Sequence, residues 1–232
     1  IVLNINIKNL EIKTNKKELL NISFNINDST ALIGESGSGK SLTLKALLNL
    51  LPSDLLVNKE VISNFELNYN SIGFIPQNPF TSLSSMTKVG DQFFCSLEKK
   101  EDVLALVNLD KGVLKKFPSQ LSGGQIQRIV IAIALSRDIK LLLLDEPTTA
   151  LDEENKINII QLINDIKTKL NILILFVTHD INSIKDICTN MVILKNGKII
   201  EEGLTNEILY TPQKDYTKQL INSTFKNKIF RT

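Results

Sequence analysis

A glycine-rich loop that ends in a lysine and a serine is the first segment whose residue types could do chemistry. Its members are Gly34, Glu35, Ser36, Gly37, Ser38, Gly39, Lys40 and Ser41. Glycines at this spacing allow the backbone to wrap so that successive amide groups point inward at phosphate oxygens. The lysine then reaches the terminal phosphates of a nucleotide, and the serine hydroxyl ligates Mg²⁺. The pattern therefore predicts a phosphate-binding, or Walker A, loop.

The elements on either side decide between this interpretation and a flexible glycine-serine loop with a chance lysine. Residues 31–33 form an apolar run after the turn-forming segment 27–29, which predicts a buried strand. After Lys40, leucines recur at helical spacing until Pro52, which predicts a helix over that stretch. Strand, loop and helix follow in the order that phosphate binding requires, because the helix amino terminus adds positive potential.

An acidic pair closes a second apolar run. Residues 141–144 are all leucine, and Asp145 and Glu146 follow them. Open α/β sheets bind their ligands at the carboxyl ends of the strands. At that edge Asp145 would hold Mg²⁺ through water, and Glu146 would polarise the water that attacks the terminal phosphorus. Taken alone, such a pair is more often a solvated turn or a helix cap. The glycine loop favours the catalytic interpretation.

Other segments give a coarse order of elements. Alternating apolar residues near the start of the chain predict strands, and residues 72–75 predict another short strand. The almost wholly apolar run 172–177, like 141–144, predicts a buried strand. A helix is expected from about Glu153 to Leu170, and a hairpin is expected around the Asn196-Gly197 turn. Residues 53–70 show no informative pattern.

A third motif precedes a segment with helical spacing. It consists of Leu121, Ser122, Gly123, Gly124 and Gln125. Together with the glycine loop and the acidic pair, it resembles the signature of ABC-type ATPases. Ser122 and the amides of the two glycines would form a second phosphate cradle at a helix amino terminus. In that family the signature acts across a dimer, on the ATP held by the partner subunit. A plain serine-glycine helix cap is the alternative, and it leaves the other motifs unexplained.

The remaining positions of the family pattern occur in order. Gln77 follows a predicted strand, Ala150-Leu151-Asp152 follows the acidic pair, and His179 follows Thr178. The resemblance implies that Gln77 approaches Mg²⁺ and the attacking water, that Asp152 lies at the dimer seam, and that His179 contacts the terminal phosphate. A lone histidine is usually a surface or core residue, and this one is the only histidine of the chain.

One position departs from the family pattern. ABC ATPases usually stack adenine on an aromatic residue in the loop between the first strands, where this chain has Thr14 and its neighbours. No Tyr, Phe or Trp occurs before Phe24. The sequence leaves open how adenine is held, by a weaker grip or by an aliphatic platform.

The resemblance implies an α/β fold, a P-loop NTPase of the ABC ATPase type. Such a fold has a mixed-sheet, RecA-like core, an antiparallel β subdomain and an inserted helical subdomain. We expect one ABC ATPase domain over residues 1–232. Its catalytic core lobe would comprise residues 1–79 and 139–232, and its helical signature lobe residues 80–138.

Charge and hydropathy limit the partners. The chain has 27 basic and 25 acidic residues, so no global field favours nucleic acid. Its apolar runs are far shorter than the roughly 20 residues that span a bilayer. The glycine loop and the acidic pair predict ATP and Mg²⁺ as cofactors, and the family resemblance implies a peripheral position on the cytoplasmic face of the inner membrane. The resemblance implies permease subunits and a second ATPase subunit, identical or different, as partners, and a substrate-binding protein as an indirect one.

Two segments resemble the peptide and nickel importer branch of the family. They are residues 77–83 with 90–92, and residues 210–212 with 215–220. This resemblance implies an ATPase subunit that powers import of nickel or other metal chelates, or of short peptides. The ATPase subunit of an exporter is the nearest alternative, since its catalytic motifs would be the same. A soluble ABC ATPase without a permease is a more distant one. The transported substrate is not encoded in these motifs.

Overall fold

The strands and helices follow one another in the order that a phosphate-binding α/β fold requires. The computed structural model describes residues 2–149 and 151–229. Its strands are β1 (Asn4–Lys13), β2 (Glu18–Asn27), β3 (Ser29–Ile33), β4 (Leu56–Ser63), β5 (Ile72–Ile75), β6 (Leu141–Asp145), β7 (Leu173–Thr178), β8 (Asn190–Lys195) and β9 (Lys198–Leu204). Its helices are α1 (Lys40–Leu47), α2 (Leu97–Leu106), α3 (Gly123–Leu135), α4 (Glu153–Leu170), α5 (Thr205–Tyr210) and α6 (Asp215–Ile229).

The chain divides into two units. The first joins Ile1–Leu67 to Leu173–Thr232, and the second comprises Asn68–Ile172. The predicted helical lobe, residues 80–138, falls inside the second unit. The lobe boundaries themselves stay a prediction.

Two layers of strands build the first unit. β1 lies between β2 and β4 in an antiparallel sheet, and its buried residues alternate with exposed ones, which gives that sheet one apolar face. In the other layer β3 lies between β7 and β8 and is parallel to both, and β9 returns antiparallel along β8. Every residue of β3 and of β7 is buried. Continuous apolar strands are what a sheet covered on both faces requires.

The second unit pairs two parallel strands with helices. β5 runs parallel to β6 in a register that sets Ile75 beside Leu144. Helix α3 packs against β5 and against α2, and its buried residues include Ile126, Ile129 and Val130. Helix α4 buries Ile159, Leu162, Ile163 and Ile166, which recur at helical spacing on one face.

Strand β4 is an element that the sequence pattern did not predict. It lies within the uninformative segment 53–70 and pairs with β1 from Ile5 opposite Ser63 to Lys13 opposite Leu56. Most of its residues are exposed, so it shows no alternation of apolar and polar residues. Backbone pairing alone defines such a strand, and sequence periodicity does not detect it.

Helix α1 ends earlier than predicted. Periodicity extended the helix to Pro52, whereas α1 ends at Leu47, and Asn49 adopts the left-handed conformation with a φ of 56°. The N–H of Leu50 donates to the carbonyl of Lys45 at 2.8 Å, which closes the helix end. From β4, the Lys59 ammonium donates to the Ala46 carbonyl at 2.9 Å, so a cation stabilises the negative end of α1.

The turn between β8 and β9 connects three parts of the first unit. The N–H of Gly197 donates to the carbonyl of Ser38 in the glycine loop, and the N–H of Asn21 in β2 donates to the carbonyl of Gly197, both at 2.8 Å. Gly197 has a φ of 76°, and a Cβ built there would lie 2.3 Å from the carbonyl oxygen of Leu19. Only glycine satisfies both the dihedral angle and the space, and the turn therefore supports the glycine loop from one side.

Substitution of this glycine tests the support. We expect Gly197→Ala to reduce the free energy of unfolding in urea by clearly more than the ~1–2 kcal/mol that a left-handed alanine costs, because a backbone carbonyl must also move. Gly37→Ala is the matched control, since Gly37 has a φ of 79° but no atom within 4 Å of its built Cβ. Equal losses for the two variants would contradict the steric argument.

Candidate functional site

The glycine loop lies between β3 and α1 and curls back on itself. Gly39 caps α1 with a φ of 115°, and a Cβ there would lie 2.6 Å from Cδ1 of Leu20. The N–H of Thr43 donates the first bond of the helical ladder, to the Gly39 carbonyl at 3.0 Å. The amides that precede it lie at the open end of α1, where backbone N–H groups and the helix dipole favour an anion.

Lys40 is buried within this loop. Its side chain donates to the carbonyl of Gly34 at 2.7 Å and to the carbonyl of Glu35 at 3.0 Å, and the residue is only 6% exposed. A buried ammonium requires such acceptors, because its desolvation is costly. The Ser38 hydroxyl is also buried and has no hydrogen-bond partner among the described residues. A buried, unpaired hydroxyl in the same loop as a buried cation fits an anionic ligand such as a polyphosphate. Ser41, which follows the lysine, is exposed.

His179 lies at the same sheet edge as the glycine loop. β3 and β7 are parallel, and Ile33 pairs with Thr178, so Gly34 and His179 each follow a member of that pair. Asp180 donates its N–H to the Thr178 hydroxyl at 3.0 Å, which fixes the chain just after β7. His179 itself is exposed. Within the first unit, the structure thus places the glycine loop and the predicted histidine at one edge.

In the second unit, the predicted glutamate and glutamine are in contact. Nε2 of Gln77 donates to Oε2 of Glu146 at 3.3 Å, and the Thr149 hydroxyl donates to the same oxygen at 3.1 Å. Gln77 follows β5 and Glu146 follows β6, whose last paired residues, Ile75 and Leu144, are neighbours. The parallel pairing therefore brings the two side chains to one edge of the pair.

Glu146 also has an unusual backbone. Its φ is 46°, in the left-handed region that few residues other than glycine adopt, and it directly follows Asp145, the last residue of β6. Such conformations cost energy and occur often at functional sites, where the fold holds a side chain in a set direction. Thr149 is a contact that sequence reasoning missed. The only signal was a hydroxyl residue shortly after the acidic pair.

The signature begins α3 with a reciprocal cap. The Ser122 hydroxyl accepts from the N–H of Gln125 at 3.3 Å, and Oε1 of Gln125 accepts from the N–H of Ser122 at 3.0 Å. The two alternatives weighed for this motif are thus compatible, because the residues that cap the helix also leave the amides of Gly123 and Gly124 at its amino terminus. Leu121 immediately precedes the cap.

Asp152 caps α4 through a single neighbour. Its Oδ1 accepts from the N–H of Asn155 at 2.8 Å, and its Oδ2 accepts from the Asn155 side-chain amide at 2.9 Å. The backbone donor first, and then the amide donor, lower the pKa of Asp152 below its ordinary value. Oδ1 of Asn155 lies 3.1 Å from the Cβ position of Gly124, so Asn155 contacts both the cap and the signature. Sequence reasoning missed Asn155. Ala150 lies outside the described residues.

Comparison with known proteins identifies the family. The family model described as "ABC transporter" matches residues 18–149. The chain belongs to the ABC transporter family. It is 35% identical over 233 residues to the oligopeptide transport ATP-binding protein OppD of Bacillus subtilis, covering 88% of this chain and 65% of the relative's length. It is 36% identical over 242 residues to the nickel import system ATP-binding protein NikD of Staphylococcus aureus, covering 94% of each.

Another relative and two solved structures extend the comparison. The metal-staphylopine import system ATP-binding protein CntD of Staphylococcus aureus is 33% identical over 89% of this chain and 86% of its own length. Structurally, the chain is similar to cbiO1 of Clostridium perfringens, with a TM-score of 0.78, 24% identity, and coverage of 100% of this chain and 97% of the other. It is also similar to the ATP-binding cassette MJ0796, a dimer bound to ADP and Pi, with a TM-score of 0.70, 25% identity, and coverage of 87% and 98%.

These matches confirm the predicted ABC ATPase family and the predicted fold class, and they confirm the predicted resemblance to ATP-binding subunits of peptide and nickel importers. They also confirm the predicted enzyme class, ATPase, and the binding of an adenine nucleotide. Among the described residues, no helix is both long enough and apolar enough to cross a membrane. The roles of the individual site residues, and Mg²⁺ itself, stay predictions.

A tight turn lies at Thr14, where the family resemblance predicts contact with the base. The Thr14 hydroxyl accepts from the N–H of Lys17 at 3.0 Å and from the N–H of Lys16 at 3.2 Å, so its polar group is engaged between β1 and β2. No aromatic ring is supplied by this turn for stacking.

A nucleotide preference follows from this turn. We expect an ABC ATPase without a stacking ring here to discriminate ATP from GTP by less than about tenfold in KM, which corresponds to ~1.4 kcal/mol. We expect Thr14→Tyr to lower KM for both nucleotides, because every base offers a stacking face. Thr14→Val removes the hydroxyl without adding a ring, and serves as the control. A large wild-type preference for ATP, measured by steady-state hydrolysis, would reveal an adenine contact elsewhere.

Proposed function

We propose that this chain is the ATP-hydrolysing subunit of an ABC importer for nickel or other metal chelates, or for short peptides. The observation that carries the catalytic part is the Glu146 carboxylate, which is held by Gln77 and Thr149 at the carboxyl edge of β5 and β6. The proposed transported substrates rest on relatives that are named as oligopeptide, nickel and metal-staphylopine transport proteins. The chain spans 65% of the oligopeptide relative's length, and its cargo is proposed on similarity alone.

The phosphates of ATP would be held by the glycine loop. The amides at the open end of α1 and the Lys40 ammonium would contact the terminal phosphates, and the buried Ser38 hydroxyl would gain the partner that it lacks among the described residues. Ser41, Gln77 and Asp145 would hold Mg²⁺, directly or through water. When bound, that ion would draw charge from the phosphate oxygens.

The proposed reaction is attack of water on the terminal phosphorus. Glu146 would accept the proton of that water as the new phosphorus–oxygen bond forms and the bond to ADP breaks. Gln77 donates to Glu146 at 3.3 Å, and this bond supports a role for Gln77 in orienting the carboxylate and the water. His179, which follows β7, would donate to the terminal phosphate. The products are ADP and inorganic phosphate.

We infer that each complete site needs two chains. The signature, Leu121 to Gln125, would close on the ATP held by the glycine loop of a second ATPase subunit, through the amides at the start of α3. Asp152 would lie at the seam, and its two bonds to Asn155 fix its carboxylate next to the signature. The similar solved dimer, bound to ADP and Pi, supports an assembly of this kind.

The permease is the proposed membrane partner, which would place the chain on the cytoplasmic face of the inner membrane. A substrate-binding protein would act through that permease. The second unit exposes large apolar side chains over a short stretch, as a protein interface requires. They are Phe80 at 53%, Met86 at 86%, Phe94 at 93% and Leu97 at 63% exposed. This apolar stretch includes part of the segment that resembles the importer branch.

The catalytic glutamate gives the first test. We expect Glu146→Gln to lower kcat for ATP by at least about a hundredfold while the Kd for ATP stays close to wild type, because only proton acceptance is removed. Hydrolysis should be measured in the assembled transporter, and binding by calorimetry. Glu60→Gln is the matched control, since Glu60 is an exposed glutamate paired with Lys8. Near-normal turnover by Glu146→Gln would exclude Glu146 as the base.

The apolar stretch gives a second test. We expect Phe94→Ser to weaken co-purification with the permease and to reduce permease-stimulated ATPase activity, while basal ATP binding is retained. Tyr210→Ser is the control, because Tyr210 is an aromatic residue of the first unit that is 83% exposed. If both variants co-purify like the wild type, the permease does not bind this stretch.

A further inference from the structure

One side-chain amide lies between two predicted parts of the site in the second unit. Asn155, on the first turn of α4, donates from its Nδ2 to Oδ2 of Asp152 at 2.9 Å. Its Oδ1 lies 3.1 Å from the Cβ position built on Gly124, in the first turn of α3. The amide group of Asn155 therefore contacts Asp152 at one end and the signature at the other.

The charge of Asp152 determines which way this amide faces. An ionised carboxylate only accepts hydrogen bonds, and only the nitrogen of an asparagine side chain donates them. The nitrogen of Asn155 therefore faces Asp152, and the oxygen faces the start of α3. A carbonyl oxygen is favoured at that place, because the amino end of a helix carries partial positive charge.

Capping of α4 does not by itself require the side chain of Asn155. The cap is the bond from the backbone N–H of Asn155 to Oδ1 of Asp152, at 2.8 Å, and any residue other than proline could donate it. The side-chain amide adds a second bond, which engages the other carboxylate oxygen. With both oxygens held, Asp152 is restricted in direction beyond what the cap alone would set.

The same amide limits the space at Gly124. A Cβ placed 3.1 Å from Oδ1 of Asn155 is closer than a carbon and an oxygen usually approach, so a side chain at position 124 would displace Asn155. The adjacent Gly123 has a different neighbour, since the atom closest to its built Cβ is Cζ of Phe80 at 3.4 Å. One planar, rigid group thus sets the spacing between the signature and Asp152.

We propose that Asn155 is a positioning residue of the composite site, which holds Asp152 and the signature at one spacing so that both meet a second chain together. This inference rests on the proposed function, in which both groups contact the partner ATPase subunit. A surface that is ordered before association loses less conformational freedom on binding, and it therefore binds more tightly. Asn155 acts on the pairing of two chains and not on the binding of ATP by one chain.

The test measures pairing and ATP binding separately in the full chain. Sedimentation of Glu146→Gln with saturating MgATP, alone and with an added second ATPase subunit, gives the Kd for pairing, and calorimetry on the dilute chain gives the Kd for MgATP. We expect the added change Asn155→Ala to raise the Kd for pairing about three- to tenfold, the effect of losing one hydrogen bond. The Kd for MgATP and the urea midpoint should stay unchanged, because the cap donor is a backbone N–H.

Asn158→Ala is the matched control, because Asn158 is an exposed asparagine of the same helix. An unchanged Kd for pairing in Asn155→Ala, or an equal rise in Asn158→Ala, would overturn the inference, and so would an equal rise in the Kd for MgATP. Failure of Glu146→Gln to pair under either condition would refute the proposed two-chain site. Normal pairing that Asn155→Ala leaves unaffected refutes only the role of Asn155.

A second experiment tests the contact between Asn155 and the signature. We expect Gly124→Ala to lower the urea midpoint of the wild type, and to lower it less in the Asn155→Ala background, where the space for the new methyl group is open. Gly123→Ala is the control, since its Cβ would face Phe80 and its effect should be the same in both backgrounds. Equal effects of Gly124→Ala in the two backgrounds would overturn the inference.

Discussion

The glycine loop of the first unit depends on the hydrogen bonds that hold the buried ammonium of Lys40. Its bonds to the carbonyls of Gly34 and Glu35 allow a cation to remain almost fully out of solvent. A charge in that position imposes conditions on its surroundings, because burial without acceptors would be strongly unfavourable. The loop must curl, Gly39 must adopt a left-handed conformation, and neighbouring elements must hold both in place. The turn at Gly197 does this through the Ser38 carbonyl.

In the second unit, the side chain held by its neighbours is a carboxylate rather than a cation. The Glu146 carboxylate combines a left-handed backbone with hydrogen bonds from two neutral donors, Gln77 and Thr149. The start of α3 is likewise fixed by its own cap, since Ser122 and Gln125 satisfy each other's hydrogen bonds. In both units, the ends of helices and strands orient the side chains that are predicted to act in the site.

The glycine loop and the acidic pair could be predicted from the sequence because each directly follows an apolar run. Asp145 ends a leucine strand, and the glycine loop stands between a buried strand and leucines at helical spacing. Sequence reasoning failed where backbone geometry, or contacts between residues far apart in the chain, determine the structure. Strand β4 is defined by pairing on an exposed edge, and α1 stops at a left-handed Asn49 rather than at Pro52. Thr149 and Asn155 contact predicted site residues through bonds that no local pattern encodes.

In the proposed assembly, the glycine loop and the signature of one chain belong to two different composite sites. Specific ATPase activity of the purified chain, measured against its concentration, tests this most directly. We expect low activity per chain in dilute solution, and a rise in activity as the chain pairs with itself or with an added second ATPase subunit. Vigorous activity that is independent of concentration, from a chain shown by light scattering to be a strict monomer, would contradict it.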